Sequence, residues 1–120
     1  MAKVYITTAI SPMMLPQPDA AGCHSMVVVE HEEHFFRDLI RIYRENGHEI
    51  VGAVGHPNTA SLLEAKFGLT SLANRVSITL EPGDRVLAAV PQFRPPESRE
   101  FSDNEIRSAK FRYFEALQTG

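Results

Sequence analysis

With 120 residues, 43% of them hydrophobic and 22% charged, the chain has the size and composition of one globular domain rather than of a disordered segment. Its formal net charge of −3 lacks the basic excess of proteins that grip long duplex DNA or RNA, where phosphate contacts carry most of the affinity. No apolar run approaches the ~20 residues of a membrane-spanning helix. The opening Met1 to Ile6 runs straight into a strand-like pattern with no signal-peptide block. Cys23, the one cysteine, allows no internal disulfide and fits a reducing compartment. The expectation is a cytoplasmic protein whose partners include neither a membrane nor long nucleic acid. A small phosphate ligand, which one or two arginines can hold, stays open.

In chain order, Val4 to Ile10 is β-branched and reads as a first strand. Ser11 to Gly22 holds Pro12, Pro16 and Pro18, which forbid a continuous helix or a central strand and leave a surface loop or arm. Ser25 to Val29 is a short β-branched run, expected as a buried strand. From Glu32 to Asn46, Phe36, Leu39, Ile40 and Tyr43 recur at helical spacing, with Gly47 placed to stop the helix. A strand over Glu49 to Val54 breaks at Gly55-His56-Pro57-Asn58-Thr59, and Ala60 to Phe67 reads as a short helix closed by Gly68. Arg75 to Leu80 alternates, with Val76, Ile78 and Leu80 on one face. Glu81-Pro82-Gly83-Asp84 is a turn signal, and Val86 to Val90 is the next strand, so these two are expected to pair as a hairpin. Pro91 to Phe101 reads as an extended loop. Ser102-Asp103-Asn104-Glu105 has capping-box spacing and should start a short last helix. For Phe111 to Leu117, strand and amphipathic character both stay open. The sum is an α/β fold: a single domain, residues 1–120, with a mixed sheet of about five strands flanked by short helices. Short strands leave unpaired edges, which favours pairing between two copies.

The stretch most informative about chemistry is Gly55-His56-Pro57-Asn58-Thr59. It lies where a strand ends and a helix begins, the position at which open α/β sheets hold ligands. Backbone N–H groups at a helix start carry partial positive charge, which suits phosphate. A histidine there can donate a proton to the leaving oxygen of a phosphate ester, since its reference pKa of about 6.5 keeps both protonation states accessible near neutrality. The plain alternative is a histidine that only caps the helix. Arg94 and Glu97 stand in the proline-rich loop, where an arginine can offset charge on phosphoryl oxygens and a glutamate can orient it or a ribose hydroxyl. Their alternative is a solvated loop with surface charges. Arg75, just before a strand, has the same two readings, and Ser11 is either a ligand contact or a turn serine. His31 and His34 have helical spacing but no further ligand nearby for a metal, and Cys23-His24 lacks the surroundings of a nucleophile.

Several segments together resemble a known family. Lys3 to Leu15 is similar to an N-terminal signature in which a strand leads to Ala-Phe-Ser and then Met-Leu. Val54-Gly55-His56-Pro57-Asn58-Thr59 is similar to its Ile-Gly-His-x-x-Thr motif, Asn74-Arg75-Val76 to its Asn-Arg-Val strand start, and Gln92 to Arg94 to its Gln-Arg loop, with Glu97 three positions on. The family is the viral anti-CRISPR ring nucleases of type III systems and their CRISPR-associated cellular relatives. The resemblance implies a homodimer that binds cyclic tetra-adenylate at the subunit interface. It also implies cleavage with no metal or cofactor, through attack of the ligand's own ribose 2′-hydroxyl on the adjacent phosphate. On that reading His56 is the general acid, with Arg94 and Glu97 also catalytic, and Ser11, Arg75, Gly55, Thr59 and Gln92 bind the ligand. Phe93 stands between Gln92 and Arg94, which are adjacent in the family pattern. The glycine usual after the glutamate and the asparagine near Thr8 are absent. Two other readings are a binding-only sponge or sensor with the same pocket and a nucleic-acid-binding or structural viral protein.

Overall fold

The computed structural model describes residues 2–16, 24–93 and 101–118. The described elements run β1 (Lys3–Thr7), β2 (Met26–His31), α1 (Glu33–Glu45), β3 (Glu49–Gly52), α2 (Pro57–Phe67), β4 (Arg85–Pro91), α3 (Asp103–Ser108) and β5 (Phe111–Gln118). The strands form one sheet in the order β2-β5-β4-β1-β3. β1 pairs in parallel with β3 and with β4, whereas β5 runs antiparallel to both β4 and β2. The fold is thus α/β with a five-stranded mixed sheet, as expected, and the stretch from Phe111 left open is its fifth strand.

Alternation along each strand divides the sheet into two faces. Val4 and Ile6 of β1, Leu87 and Ala89 of β4 and Tyr113 of β5 meet Phe36 and Ile40 of α1 and Ala60 and Leu63 of α2 in one core. The intervening positions, Tyr5, Val86 and Ala116, face the other way and pack with Met14, Ile78 and Leu80. The first face is closed by helices, the second by two irregular segments.

Local signals account for the element ends. Ser102 accepts from the Glu105 amide while the Glu105 carboxylate accepts from the Ser102 amide, the reciprocal capping box. Gly68 ends α2 in the left-handed region at φ 66°, where a glycine carries no Cβ penalty. In the turn before β4, Gly83 takes φ 90°, and buried Asp84 accepts from the amides of Lys3 and Glu81. This carboxylate ties the turn to the start of β1.

Two expectations are corrected. Residues 75–80 are not a strand and make no hairpin with β4, because both edges of β4 are taken by β1 and β5. Their alternation still buries Ile78 and Leu80, while Val76 stays 46% exposed; the segment lies on the sheet's second face, held by the Leu80 amide on the Met14 carbonyl at 2.8 Å. The run from Ser25 is a strand but not a buried one. β2 is an edge strand, and Val27, Val28 and Val29 are 41–48% exposed. β-branched residues suit a pleated surface whether or not a neighbour covers it.

The chain between α2 and β4 also shapes the sheet's other edge. At Gly52 an added Cβ would lie 2.3 Å from the Ser71 carbonyl oxygen and 2.5 Å from the Leu72 Cα, so only glycine permits this backbone crossing. The crossing extends β3 past its end: the Val54 amide donates to the Leu72 carbonyl and the Asn74 amide to the Val54 carbonyl. That pairing delivers Arg75 to Gly55.

Candidate functional site

Because β1, β3 and β4 are parallel, their carboxyl ends share one edge of the sheet, and residues 8–11, 53–56 and 92–93 all emerge there. Ligands of open α/β sheets bind at such an edge.

His56 is the N-cap of α2. Its backbone is extended, its carbonyl accepts the first helical bond from Ala60, and Pro57 occupies the first helical position, where a missing N–H has no cost. The imidazole makes no capping hydrogen bond, so helix capping does not account for this side chain. Its Nδ1 lies 3.5 Å from the hydroxyl of Thr59, which is 2% exposed. A threonine hydroxyl donating to Nδ1 leaves the proton of a neutral ring on Nε2. His56 itself is half-buried.

Arg75 sits beside it. Its Nε donates to the Gly55 carbonyl at 3.1 Å, and the residue is exposed. Among the described residues only the Arg75 Cγ, at 3.6 Å, would meet a Cβ at Gly55, an ordinary contact.

Next to this pair a cleft of about 410 Å³ opens between the ends of β1 and β3 and the two segments that cover the second face. Its polar lining comes from the hydroxyls of Thr7, Ser11, Ser77 and Thr79, its apolar lining from Met13, Met14, Val76 and Ile78. Thr7 donates to the Ala53 carbonyl at 3.1 Å, and Ser11 accepts from the Met13 amide while capping a single 3₁₀ turn. Ser11 therefore shapes a turn and also lines the cleft. Thr7, Ser77 and Thr79 escaped sequence reasoning, since isolated hydroxyls in apolar runs carry no pattern.

The structure brings His56 to Thr59 and Arg75 to Gly55 and sets Ser11 in the cleft, whose lining includes none of those four. Gln92 is not in it: this exposed side chain folds back onto the Val90 carbonyl at 3.1 Å. Arg94 and Glu97 lie outside the described residues. Phe93, which parts Gln92 from Arg94, packs at near right angles on Phe111 and Phe101, with centroids 5.5 and 6.5 Å away. Among the described residues no three His, Cys, Asp or Glu converge to hold a metal ion, and no helix is long and apolar enough to cross a membrane.

Two perturbed ionisable groups, Tyr43 and Glu33, belong to α1. Burial raises the Tyr43 hydroxyl to about 12, helped by its hydrogen bond to the Glu115 carboxylate and by that charge. Burial also opposes ionisation of Glu33, but hydrogen bonds from Lys66 and Tyr113 and the charges of Lys66 and Arg37 outweigh it and hold this carboxyl below its ordinary value. Both groups join α1 to its neighbours. A further open hollow, about 440 Å³, lies on the second face between Ala9, Ile10, Val28, Val90 and Phe114, without a charged side chain among them.

Residues 5–113 match the model of the STIV B116-like family. The uncharacterized protein ORF116 of Acidianus filamentous virus 1 (isolate United States/Yellowstone) is 30% identical over 105 residues, which cover 85% of this chain and 80% of that protein. B116 of Sulfolobus turreted icosahedral virus has the same fold, with a TM-score of 0.75 and 27% identity over 97% of this chain and 99% of that one. Both relatives are viral proteins.

Proposed function

We propose that this chain, which belongs to the STIV B116-like family, is a ring nuclease that binds cyclic tetra-adenylate at the carboxyl edge of its sheet and cleaves it. The observation that carries the reading is the imidazole of His56. It stands half-buried at the start of a helix, unused in capping, with its Nδ1 against Thr59 and Arg75 fastened to the preceding residue. The resemblance to ring nucleases supplies the substrate, and the cleft lined by Ser11, Ala53 and Val76 offers room for a nucleotide.

In the proposed reaction a ribose 2′-oxygen attacks the adjacent phosphorus in line and loses its proton to water. The bond from phosphorus to the 5′-oxygen breaks, and protonated His56 delivers a proton to that oxygen. The products are a 2′,3′-cyclic phosphate and a free 5′-hydroxyl, and the step needs no metal or cofactor. Binding energy pays for the alignment of nucleophile and leaving group. Arg75 offers positive charge to a phosphate next to the scissile one. Arg94 and Glu97 take the roles that the resemblance implies, charge compensation at the phosphoryl oxygens and orientation of the arginine or a ribose hydroxyl. Ser11 and the Gly55 backbone contact the ligand, and Thr59 holds the histidine ring. Gln92 is proposed as a ligand contact through a side chain that leaves Val90.

Two copies acting together suit a ring of four like nucleotides, each copy offering one His56. The open apolar hollow around Val28 and Phe114 is the surface that we assign to the second copy. Removal of the messenger would silence a type III CRISPR response, which suits a family with viral members.

The test is single-turnover cleavage of cyclic tetra-adenylate by excess protein in the presence of a chelator. Linear product ending in a cyclic phosphate is expected, with cyclic tri- and hexa-adenylate run beside it to set ring preference. Ring bound but recovered intact would make the protein a sponge and remove His56 from any catalytic role.

A further inference from the structure

Glu64 stands near the carboxyl end of α2, where its own carbonyl accepts from the amides of Gly68 and Leu69. A helix end of that polarity favours a cation, so a carboxylate there is unfavourable on local grounds. What offsets it is a hydrogen bond outside the helix: its Oε2 accepts from the Leu72 amide at 2.9 Å. Leu72 is fully buried, and a buried N–H without an acceptor is costly. Each group therefore needs the other. Ser71, just before, takes φ 58°, the left-handed region that a side chain disfavours. Its carbonyl lies where a Cβ at Gly52 would stand. From Leu72 a run of hydrogen bonds leads toward His56. The Leu72 carbonyl accepts from the Val54 amide at 3.0 Å and the Val54 carbonyl from the Asn74 amide at 2.9 Å. Arg75 follows, with its Nε on the Gly55 carbonyl at 3.1 Å. That carbonyl belongs to the peptide bond joining Gly55 to His56.

We propose that Glu64 is a positioning residue: by holding the Leu72 amide it fixes the crossing segment and so seats Arg75 on the peptide before His56. The proposal rests on the ring-nuclease reading, in which Arg75 meets a phosphate of the ring. It adds a residue that acts through Arg75 and not on the ligand. An arginine side chain has many rotamers, and ordering one at the moment of binding subtracts from affinity. A guanidinium already tied by its Nε meets a phosphate without that cost. The tie depends on where the backbone at Arg75 lies, and Glu64 anchors that backbone from α2, the helix that His56 begins. A carboxylate set against the helix polarity thus has its reason in the site rather than in the helix.

The experiment is single-turnover cleavage of cyclic tetra-adenylate over a range of protein concentrations, with the NMR resonance of the Arg75 Nε–H followed in the same chains. The chains are the wild type, Glu64→Gln and Glu64→Ala, each with and without Arg75→Ala. Glutamine keeps an acceptor oxygen, so Glu64→Gln should stay close to wild type. Glu64→Ala should raise the half-saturating concentration about ten-fold, the worth of one hydrogen bond to a charged group, and change the saturating rate far less. The Nε–H resonance should move in Glu64→Ala and hold its place in Glu64→Gln. In the Arg75→Ala background, Glu64→Ala should add nothing further. If the alanine variant does not fold, Glu64→Lys takes its place, since lysine suits the helix end and still cannot accept. An equal loss with and without Arg75, or a resonance that stays put, overturns the positioning role and leaves the ring-nuclease reading standing. If the wild-type chain neither binds nor cleaves the ring, that reading falls, and the resonance decides the seating of Arg75 by itself: movement upholds it and no movement overturns it.

Discussion

The two faces of the sheet answer to different demands. On one, α1 and α2 press Phe36, Ile40, Ala60 and Leu63 against Val4, Ile6, Leu87 and Ala89, all of them buried. On the other, Tyr5, Val86 and Ala116 are covered by irregular chain around Met14 and Ile78. That cover leaves a hydroxyl-lined cleft at one end and the open hollow at Val28 and Phe114 farther along. A helix-covered face fixes the fold, and a loop-covered face leaves open surface, to which we assign the proposed ligand and second copy. His56 stands where the two meet, at the sheet edge from which α2 starts.

Substitutions should separate these roles. The largest expected effect is on the rate: His56→Ala should slow single-turnover cleavage by about 10²–10⁴, the usual worth of general acid catalysis. Its thermal midpoint should stay close to wild type, because the imidazole makes no capping bond. A near-unchanged rate would sink the role given to this residue. Phe36→Ala, on the helix-covered face, should cost about 3–5 kcal/mol in urea unfolding through the cavity it leaves; a loss under about 1 kcal/mol would show that this face is less closed than its burial implies.

Alkaline pH should act on the same face more gently. Tyr43 has its pKa raised in the folded state from 10.0 to about 12, so the folded chain holds this proton more tightly than the unfolded chain. Its contribution to stability is complete below about pH 10 and is lost as pH rises toward about 12. Tyr43→Phe should flatten that part of the pH–stability curve, and an identical slope in the variant would remove the tyrosine from it. The smallest change in stability is expected for Val28→Lys, within about 0.5 kcal/mol as for other surface positions. That variant should nevertheless turn a dimer into a monomer by light scattering. A wild-type chain that is monomeric at high concentration would leave the hollow without its proposed occupant.

Much of this division was legible in the chain. The helical spacing of Phe36, Leu39, Ile40 and Tyr43, the glycine at position 68 and the capping box at Ser102 report contacts within a few residues, and local chemistry decides them. The alternation from Arg75 to Leu80 reads as a strand and is not one, because period two reports that one side is buried, not that the backbone has a partner. The burial of β2 was misread for a related reason, since sheet order depends on contacts far apart in sequence. At the site, Gly55-His56-Pro57 announced a strand-to-helix junction, and that junction is where the structure has it. The hydroxyls of Thr7, Ser77 and Thr79 meet only after the chain has folded, and no spacing foretells them.

The most direct measurement is mass spectrometry of cyclic tetra-adenylate after long incubation with excess wild-type chain and a chelator. The account expects linear fragments that end in a 2′,3′-cyclic phosphate, formed by the wild-type chain and nearly absent with His56→Ala. Intact ring throughout, or equal fragments from both proteins, would contradict it.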